Sequence, residues 1–357
     1  MTLVLDEDQK LLADAARDFV ATRSSLKRVR ALRDDDIGFS RELWREMARL
    51  GWPGLPFPEE LGGAGLGWRY LMVVLEELGA GLAPEPLVST VLLGGSAFLY
   101  GDPDLRREHL PRIAAGDELV AVAYQEAGTR YALDRATTRF AAGTIVGEKV
   151  QVMGGSSADW LIVSAHGPGG VGLYVVDATR VRRTRQHRID GRDAAIVRLD
   201  GVPATPLGGP GLLARVIDVA TIGLCAEMLG AMGAAFAMTL AYLKTRTQFG
   251  VPIGSFQALQ HRAARLYIDL ELCRSATMHA HAVLDAGGDV ARAASLAKAK
   301  LSDAFLRVAE EAIQLHGGIG MTEEHDLGLY LKRARVAEIT FGDAAHHRAR
   351  WAELSGY

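Results

Sequence analysis

The sequence predicts an α+β fold in which a helical N-terminal domain, a middle antiparallel β domain and a C-terminal four-helix bundle follow one another. Apolar residues recur at helical spacing near both ends of the 357-residue chain. Short β-rich runs, separated by clusters of Gly, Pro and Asp, occupy the middle. We place the boundaries after residues 117 and 207, which gives domains 1–117, 118–207 and 208–357.

Composition excludes several classes of protein. The chain is 49% hydrophobic and 23% charged, as is typical of a globular protein, and its net charge of −3 gives no strong attraction to nucleic acid. The N-terminus lacks the pattern of a signal peptide, and the apolar run 228–243 is too short for a membrane span. With only two cysteines, both in apolar helical segments, we expect no disulfide framework, a cytoplasmic location, and no membrane or nucleic-acid partner.

The N-terminal domain is predicted to contain three helices. The first, over 5–21, would bury one stripe made of Leu5, Leu11, Leu12, Ala15, Ala16 and Phe19. The second, over 41–51, is amphipathic and is closed by a glycine. The third, over 71–80, is apolar enough to be more deeply buried.

The middle and C-terminal domains differ in the spacing of their apolar residues. ELVAVAYQEA, DWLIVSA, GLYVVDA and AAIVRLDGV read as strands of a mainly antiparallel sheet. Between 256 and 281, apolar and small residues alternate spacings of four and three, which predicts a bundle seam formed by Leu259, Ala263, Leu266, Leu270, Cys273 and Thr277.

Two glycine-containing motifs lie at predicted helix ends. RTQFGVPIGSFQ (246–257) places an arginine and a phenylalanine at the junction of two helices, where they could bind a phosphate and a flat ring or form a plain turn. QLHGGIGM (314–321) ends another helix with two glycines, whose backbone amides could hold an anion. The residues alone leave both possibilities open.

Asp343, His346 and His347 share helical spacing near the C-terminus, which raises the possibility of a metal site. Adjacent histidines on a helix point in different directions, and Asp343 with His347 would supply only two of the three or four ligands that a metal needs. We therefore predict an ordinary helix face and no metal.

Together these stretches resemble the acyl-CoA dehydrogenase family along almost the whole chain. GLPFPEELGGAGLG (54–67), LPRIAAGD (110–117) and ADWLIVSA (158–165) match the N-terminal and β-domain patterns. RTQFG-P---FQ and Q-HGG-G match the two C-terminal signatures. The resemblance implies FAD as cofactor, an acyl-CoA substrate oxidised to a trans-2-enoyl thioester, and an electron-transfer flavoprotein as electron acceptor, with a role in β-oxidation in lipid or steroid catabolism.

The resemblance also locates the family's catalytic base, and this chain lacks it. In the family a carboxylate removes the α-proton while flavin accepts the β-hydride. That carboxylate usually lies 27 positions after the signature glutamine, and 27 positions after Gln314 is Phe341. The alternative position, 26 before the signature arginine, corresponds to Ala220. Neither side chain accepts a proton, so we assign no catalytic residue to this chain.

Other departures affect the flavin-ring contacts that the family makes within one subunit. YQEAGTRY (124–131) keeps Glu126 and Gly128 of the TEP-GSD pattern but loses its other polar residues. In KVQVMGG (149–155), Gln151 replaces the tryptophan that covers the flavin and Met153 replaces the threonine that hydrogen-bonds it. Asp343 replaces the threonine of the EGT sequence.

The contacts that the family supplies to a neighbouring subunit's FAD are kept, namely Arg246, Phe249, Gln257, Gln314, Gly317 and Gly318. We therefore expect a base-lacking subunit of a heteromeric α2β2 acyl-CoA dehydrogenase that shares FAD with a catalytic partner. Two alternatives stay open. One is a homomeric dimer or tetramer that uses a displaced acid such as Asp218, Asp343 or Glu324. The other is a binding or scaffold homologue without redox chemistry.

Overall fold

The computed structural model describes residues 4–33 and 35–357, and its elements follow the order helices, strands, helices. The N-terminal helices are α1 (Glu7–Arg23), α2 (Leu26–Leu32), α3 (Arg41–Arg49), α4 (Trp68–Ala80), α5 (Ser96–Tyr100) and α6 (Pro103–Ala114), with a buried π-helix at Leu87–Gly95. The C-terminal helices are α7 (Leu212–Thr245), α8 (Gln257–Asp285), α9 (Val290–His316), α10 (Leu327–Ile339) and α11 (Ala344–Leu354).

The strands lie between the two groups of helices along the sequence. They are β1 (Val120–Ala123), β2 (Arg139–Ala141), β3 (Thr144–Met153), β4 (Trp160–Gly167), β5 (Gly170–Asp177), β6 (Arg182–Arg185), β7 (Ala194–Pro203) and β8 (Thr205–Gly208). A two-stranded hairpin, β9 (Thr247–Gln248) and β10 (Val251–Pro252), connects α7 to α8. The predicted fold class is confirmed, while the division at residues 117 and 207 stays a prediction.

The sheet is mixed and not purely antiparallel. Its order is β6-β7-β3-β2-β4-β5-β8, and β1 also pairs with β4. β1 and β2 run parallel to β4, whereas the other pairs of neighbouring strands are antiparallel. Alternate residues point into one core, which includes Ala121, Ala123, Leu161, Val163, Val176, Val197 and Leu199.

The chain forms two compact units. One comprises the chain up to Val29, Met72–Ala83 and Thr221–Tyr357, and the other comprises Arg30–Leu71 and Pro84–Ala220. In the first unit, α9 packs against α8, α10 and α11 and is thus the central helix. There α4 crosses α7 at glycines: a Cβ on Gly230 would lie 1.7 Å from the Glu76 carbonyl oxygen, and one on Gly79 would lie 2.2 Å from that of Glu227. Only glycine permits so close a crossing.

The predicted stripe on the first helix was partly wrong. Leu11 is 68% exposed, and the buried residues of α1 are Gln9, Ala13, Ala16 and Phe19. The buried face of the helix differs from the predicted stripe because Gln9 forms a capping box with Asp6 at the start of the helix. The Gln9 N–H donates to the Asp6 side chain, and the Gln9 side chain accepts from the Asp6 N–H. Leu5 and Leu12 are half-buried, and Ala15 is exposed.

The predicted seam of α8 is confirmed over most of its length. Leu266, Leu270, Cys273 and Thr277 are buried, while Leu259 and Ala263 at the helix start are half-buried. Within the two described ranges, none of the helices combines the length and the apolar character that a membrane span requires.

Candidate functional site

The turn between α10 and α11 carries Phe341, the residue at the position where the resemblance places the base. Its side chain is only 6% exposed, and its backbone lies in the left-handed region with φ 63°. A non-glycine residue rarely adopts this conformation unless its surroundings enforce it. Gly342 follows with φ 123°, so two consecutive residues depart from ordinary backbone.

A buried lysine enforces that conformation. The Lys298 side chain, fully buried on α9, donates to the carbonyl oxygens of Glu338 at 2.9 Å and Gly342 at 2.8 Å, and to Ser302 Oγ at 2.9 Å. Burial lowers the pKa of Lys298 to about 8, so the ammonium is still mainly charged at neutral pH. One cation thereby ties both sides of the turn to the central helix.

His347 holds the same turn from α11. Its Nε2 lies 3.2 Å from the Phe341 carbonyl oxygen and its Nδ1 lies 3.4 Å from Ser295 Oγ. Because a carbonyl can only accept, Nε2 carries the proton. Burial, with a smaller contribution from the Lys298 charge, lowers the pKa of His347 to about 3, so the ring is neutral at physiological pH.

Asp343 and His346 belong to the start of α11. The Asp343 carboxylate accepts a hydrogen bond from the His346 N–H at 2.8 Å, as an N-cap residue does. In the part of the chain that the structure describes, no three His, Cys, Asp or Glu side chains lie together as a metal site would require. The Asp-His-His spacing thus reflects a cap followed by a buried histidine.

The alternative base position also lacks an acid. Ala220 is fully buried in α7, and Asp218, two residues earlier, is 5% exposed. Glu324, the third candidate for a displaced acid, lies exposed beyond the end of α9.

Glu126, the acid retained from the TEP-like pattern, accepts several hydrogen bonds from within this chain. Glu126 accepts from Lys149 Nζ at 2.7 Å, from the Thr137 N–H at 2.7 Å and hydroxyl at 2.6 Å, and from the Thr138 N–H at 3.0 Å. Burial opposes ionisation, but these hydrogen bonds outweigh it and hold the pKa of Glu126 at about 2. Its carboxylate stabilises the β domain and is a poor proton acceptor.

The strand that should cover a flavin ring is interrupted by a bulge. β3 shifts register against β7 between Lys149 and Val152, and Gln151 within the bulge has φ 53°. Gln151 is exposed, and its N–H bonds the Gln186 side chain at 2.8 Å. Met153 lines a cavity of only about 20 Å³ together with Ser89, Gly154 and Asp193. Gln151 and Met153, the replacements at the two flavin-contact positions, offer neither an aromatic cover nor a hydroxyl donor, so they do not fit a flavin ring.

The hairpin between α7 and α8 is different, because it exposes its functional side chains. Phe249 and Gly250 form its two-residue turn, with φ 54° and 79°. Positive φ at both positions defines a type I′ turn, in which Asn or Gly is usual at the first position. Phe249 instead projects an aromatic ring that is 92% exposed and whose nearest aromatic neighbour is Phe256, at a centroid distance of 6.1 Å.

The two C-terminal signatures meet at one end of the helical unit. Tyr242, near the end of α7, stacks on His316 at the end of α9 with ring centroids 4.2 Å apart. Arg262 of α8 pairs with Glu311 of α9 at 2.6 Å. These contacts place the helix ends that carry Arg246, Gln257 and Gln314 side by side.

The polar groups at this end are exposed and available. Within the described residues, the side chains of Arg246, Gln257 and Gln314 are exposed and make no hydrogen bond or ion pair. A Cβ added to Gly317 or Gly318 would meet nothing within 4 Å. A guanidinium, two amides, an aromatic ring and open glycine backbone are the groups that bind a phosphate and a flat ring, so this end fits a dinucleotide.

Comparison with known proteins decides the family. The acyl-CoA dehydrogenase N-terminal domain matches residues 6–117, and the acyl-CoA dehydrogenase C-terminal domain matches residues 209–354. The acyl-CoA dehydrogenase IpdE2 of Mycobacterium tuberculosis is 33% identical over 338 residues, which cover 92% of this chain and 91% of that protein. The chain belongs to the acyl-CoA dehydrogenase family.

Two solved structures extend the comparison for this acyl-CoA dehydrogenase homologue. A variant of the Tcur3481–Tcur3483 steroid ACAD is 33% identical with a TM-score of 0.91, covering 98% of each chain. The ChsE4–ChsE5 complex from M. tuberculosis includes a chain 27% identical with a TM-score of 0.92, covering 100% of each chain.

Sequence reasoning missed the residues that build the turn of this acyl-CoA dehydrogenase homologue. Lys298 and His347 were not singled out for it, although Lys298 lies on the buried, mainly apolar face of α9 beside Ala294, Ala297 and Leu301. A lysine on a buried helix face requires several acceptors, and that requirement was the available signal.

Proposed function

We propose that this chain is the base-lacking subunit of a heteromeric FAD-dependent acyl-CoA dehydrogenase. Its role is to complete the FAD site of a catalytic partner subunit through Arg246, Phe249, Gln257, Gln314, Gly317 and Gly318. The proposal rests on a difference in solvent exposure between the groups suited to a dinucleotide and the turn at the usual base position. Within the described residues, the groups suited to a dinucleotide are exposed, and their polar side chains are unpartnered, whereas Phe341 occupies a buried, clamped turn.

The chemistry of the reaction supports the division of roles. The α C–H of an acyl thioester is only weakly acidic, so its removal needs a positioned carboxylate, and FAD when bound accepts the hydride. Phe341 and Ala220 supply no carboxylate, and Gln151 and Met153 do not fit the flavin ring. The partner must provide both, and this chain contributes charge and contact at the pyrophosphate and adenosine end.

We further propose a bulky, steroid-type acyl-CoA as the substrate of the assembly. Support comes from the similarity to the Tcur3481–Tcur3483 steroid ACAD, at 33% identity. The similar ChsE4–ChsE5 structure is a complex of two proteins, which agrees with a paired assembly. Electron-transfer flavoprotein is the expected acceptor of the electrons.

The direct test is co-expression with a base-bearing chain of the same fold, for which the product of a neighbouring gene with an intact Glu-Gly-Thr sequence is the first choice. We expect this chain alone to purify without stoichiometric FAD and to give no turnover in a ferricenium-coupled assay across a panel of acyl-CoA thioesters. The pair should bind about one FAD per two chains. Full flavin and turnover in the isolated chain would contradict the proposal.

Arg246→Ala in the co-expressed pair tests the contact in trans. A hydrogen bond to a charged group contributes about 1.5–3 kcal/mol, so FAD affinity should fall at least about tenfold. Arg292→Ala is the matched control, because Arg292 is also exposed but lies at the opposite end of α9, paired with Asp289. Equal FAD affinity in the two variants would count against the assigned site.

A further inference from the structure

The segment between α9 and α10 folds back against the end of α9. It starts with a short 3-10 helix, Gly317–Met321, the glycine turn. The Ile319 carbonyl oxygen accepts from the Thr322 N–H at 3.1 Å and from the Thr322 hydroxyl at 2.8 Å. The His325 N–H in turn donates to the Thr322 carbonyl oxygen at 3.3 Å. These bonds reverse the chain and return His325 to the helix end that it has just left.

Three rings from separate segments meet at this end. His316, the last residue of α9 and only 4% exposed, packs against His325 with ring centroids 4.7 Å apart and an interplanar angle of 60°. His316 also stacks on Tyr242 of α7, whose carbonyl oxygen accepts the Arg246 N–H at 2.8 Å. The rings therefore link the end of α7, the end of α9 and the segment that leads into α10.

A hydrogen bond fixes the orientation of the His325 ring. Its Nδ1 accepts from the Leu327 N–H at 3.3 Å, so the proton of the neutral ring lies on Nε2. This N–H belongs to the first turn of α10, where backbone donors have no partner within the helix. Because Leu327 is buried, His325 is anchored to a fixed helix start while it packs on His316.

The glycine turn is held closely by the same contacts. His316 is bound to its own helix, with Nδ1 2.8 Å from the Ala312 carbonyl oxygen. A Cβ added to Gly320 would lie 3.0 Å from the His316 Cβ, so the turn packs tightly on this side chain. Glycine adopts positive and negative φ about equally and does not fix a backbone by itself. The surrounding side chains must therefore set the direction of the turn.

We infer that His325 is a positioning residue for the FAD site. Acting through His316, it holds the glycine turn in the conformation in which Gly317 and Gly318 receive the pyrophosphate. The inference rests on the proposed function and adds a residue outside the two signature motifs. A site that is already ordered loses less entropy when its ligand binds. Loss of His325 should thus weaken FAD binding although every group assigned to the FAD contact is still present.

Three substitutions of His325 in the co-expressed pair separate the ring from the hydrogen bond. His325→Phe keeps a ring against His316, His325→Asn keeps an oxygen that accepts the Leu327 N–H, and His325→Ala keeps neither. We expect His325→Ala to raise the dissociation constant of FAD about tenfold, and each of the other two to raise it about threefold. His166 is exposed on β4 in the other compact unit, so His166→Ala is the control and should leave FAD affinity unchanged.

Hydrogen exchange of the isolated chain tests the inference without FAD. His325→Ala should speed amide exchange in the glycine turn at least about tenfold and leave the buried part of α8, from Leu266 to Thr277, unchanged, because local opening does not require global unfolding. Unchanged exchange in the glycine turn would overturn the inference. An equal increase in both segments would also overturn it, because His325 would then support the fold in general.

The outcomes separate this inference from the proposed function. FAD affinity that falls with His325→Ala and is partly restored in His325→Phe and His325→Asn supports the inference. FAD that is weakened by Arg246→Ala but insensitive to His325→Ala leaves the function standing and overturns the inference. FAD that is insensitive to both, with faster exchange in the glycine turn, contradicts the function and removes the role of His325 in cofactor binding.

Discussion

Phe341 and Phe249 have the same side chain and nearly the same unusual backbone, with φ of 63° and 54°, yet their surroundings are opposite. Phe341 is 6% exposed and Phe249 is 92% exposed. At Phe341 the strain is held by contacts within the chain, from Lys298 and His347 to the carbonyls of the turn. At Phe249 the described chain offers one distant aromatic neighbour and an exposed hairpin.

The difference separates a residue whose unusual backbone is held by contacts within the chain from one whose unusual backbone has few such contacts. A strained residue persists only when its surroundings or its function maintain it. The Phe341 turn is maintained by burial and hydrogen bonds and so contributes to the stability of the isolated chain. The Phe249 ring is exposed and lacks such support, and the proposed function would account for it by contact with the cofactor.

The largest effect is expected from Lys298→Met. The change leaves Ser302 Oγ and the carbonyls of Glu338 and Gly342 without this donor. At about 1–3 kcal/mol for each unsatisfied buried group, partly offset by the removal of a buried charge, the free energy of unfolding should fall by about 4 kcal/mol. Urea denaturation of the wild-type and variant chains measures this difference in the free energy of unfolding. Lys332→Met, which removes a half-exposed pair with Glu323, should cost less than about 1 kcal/mol.

Phe341→Ala and Phe249→Ala compare the two regions directly. Removal of a buried phenylalanine typically costs about 3–5 kcal/mol, so we expect about 3 kcal/mol for Phe341→Ala. Phe249→Ala should change the stability of the isolated chain by less than about 0.5 kcal/mol, because the ring is exposed. Similar losses in the two variants, measured by thermal and urea unfolding, would remove the distinction between them.

The order of helices and strands could be predicted from the sequence, because the spacing of apolar residues and the positions of turn residues depend on the local backbone conformation. The α8 seam from Leu266 to Thr277 and the β-rich middle emerged from spacing alone. The α1 stripe did not, since capping by Gln9 and Asp6 shifted the phase. Parallel pairing of β1 and β2 with β4 depends on contacts between distant segments, which no local pattern encodes.

The residues of the candidate site could be located in the sequence only by their spacing from the recognised motifs. The position of Phe341 followed from its distance to Gln314, whereas its burial and left-handed backbone did not. Lys298 and His347 lie 43 and 6 positions from Phe341, on two other helices, and only folding brings them to its turn. The exposure of Arg246, Gln257 and Gln314 is likewise a property of the three-dimensional packing.

His347 provides a pH test of the buried turn. Its folded-state pKa of about 3 lies below the ordinary value of 6.5, so the unfolded chain binds the proton first as pH falls. The stabilising contribution is therefore fully present above pH 6.5 and is lost progressively toward pH 3. Unfolding free energies measured in urea from about pH 7 to 4 should decline up to about 1.4 kcal/mol per pH unit more steeply than those of His347→Gln. Equal slopes would show that His347 takes up its proton at the same pH in the folded and the unfolded chain.

The most discriminating effect is expected from Phe249→Asn. Asparagine tolerates the left-handed conformation and precedes glycine in the favoured type I′ turn, so relief of strain should stabilise the isolated chain by about 1 kcal/mol. The same change removes the exposed ring, so the co-expressed pair should bind FAD more weakly. Chemical denaturation and flavin titration measure the two opposed effects. A variant that stabilises the chain and leaves FAD affinity unchanged would mean that the ring is not maintained for the cofactor, and a destabilised variant would mean that the hairpin needs its aromatic for folding.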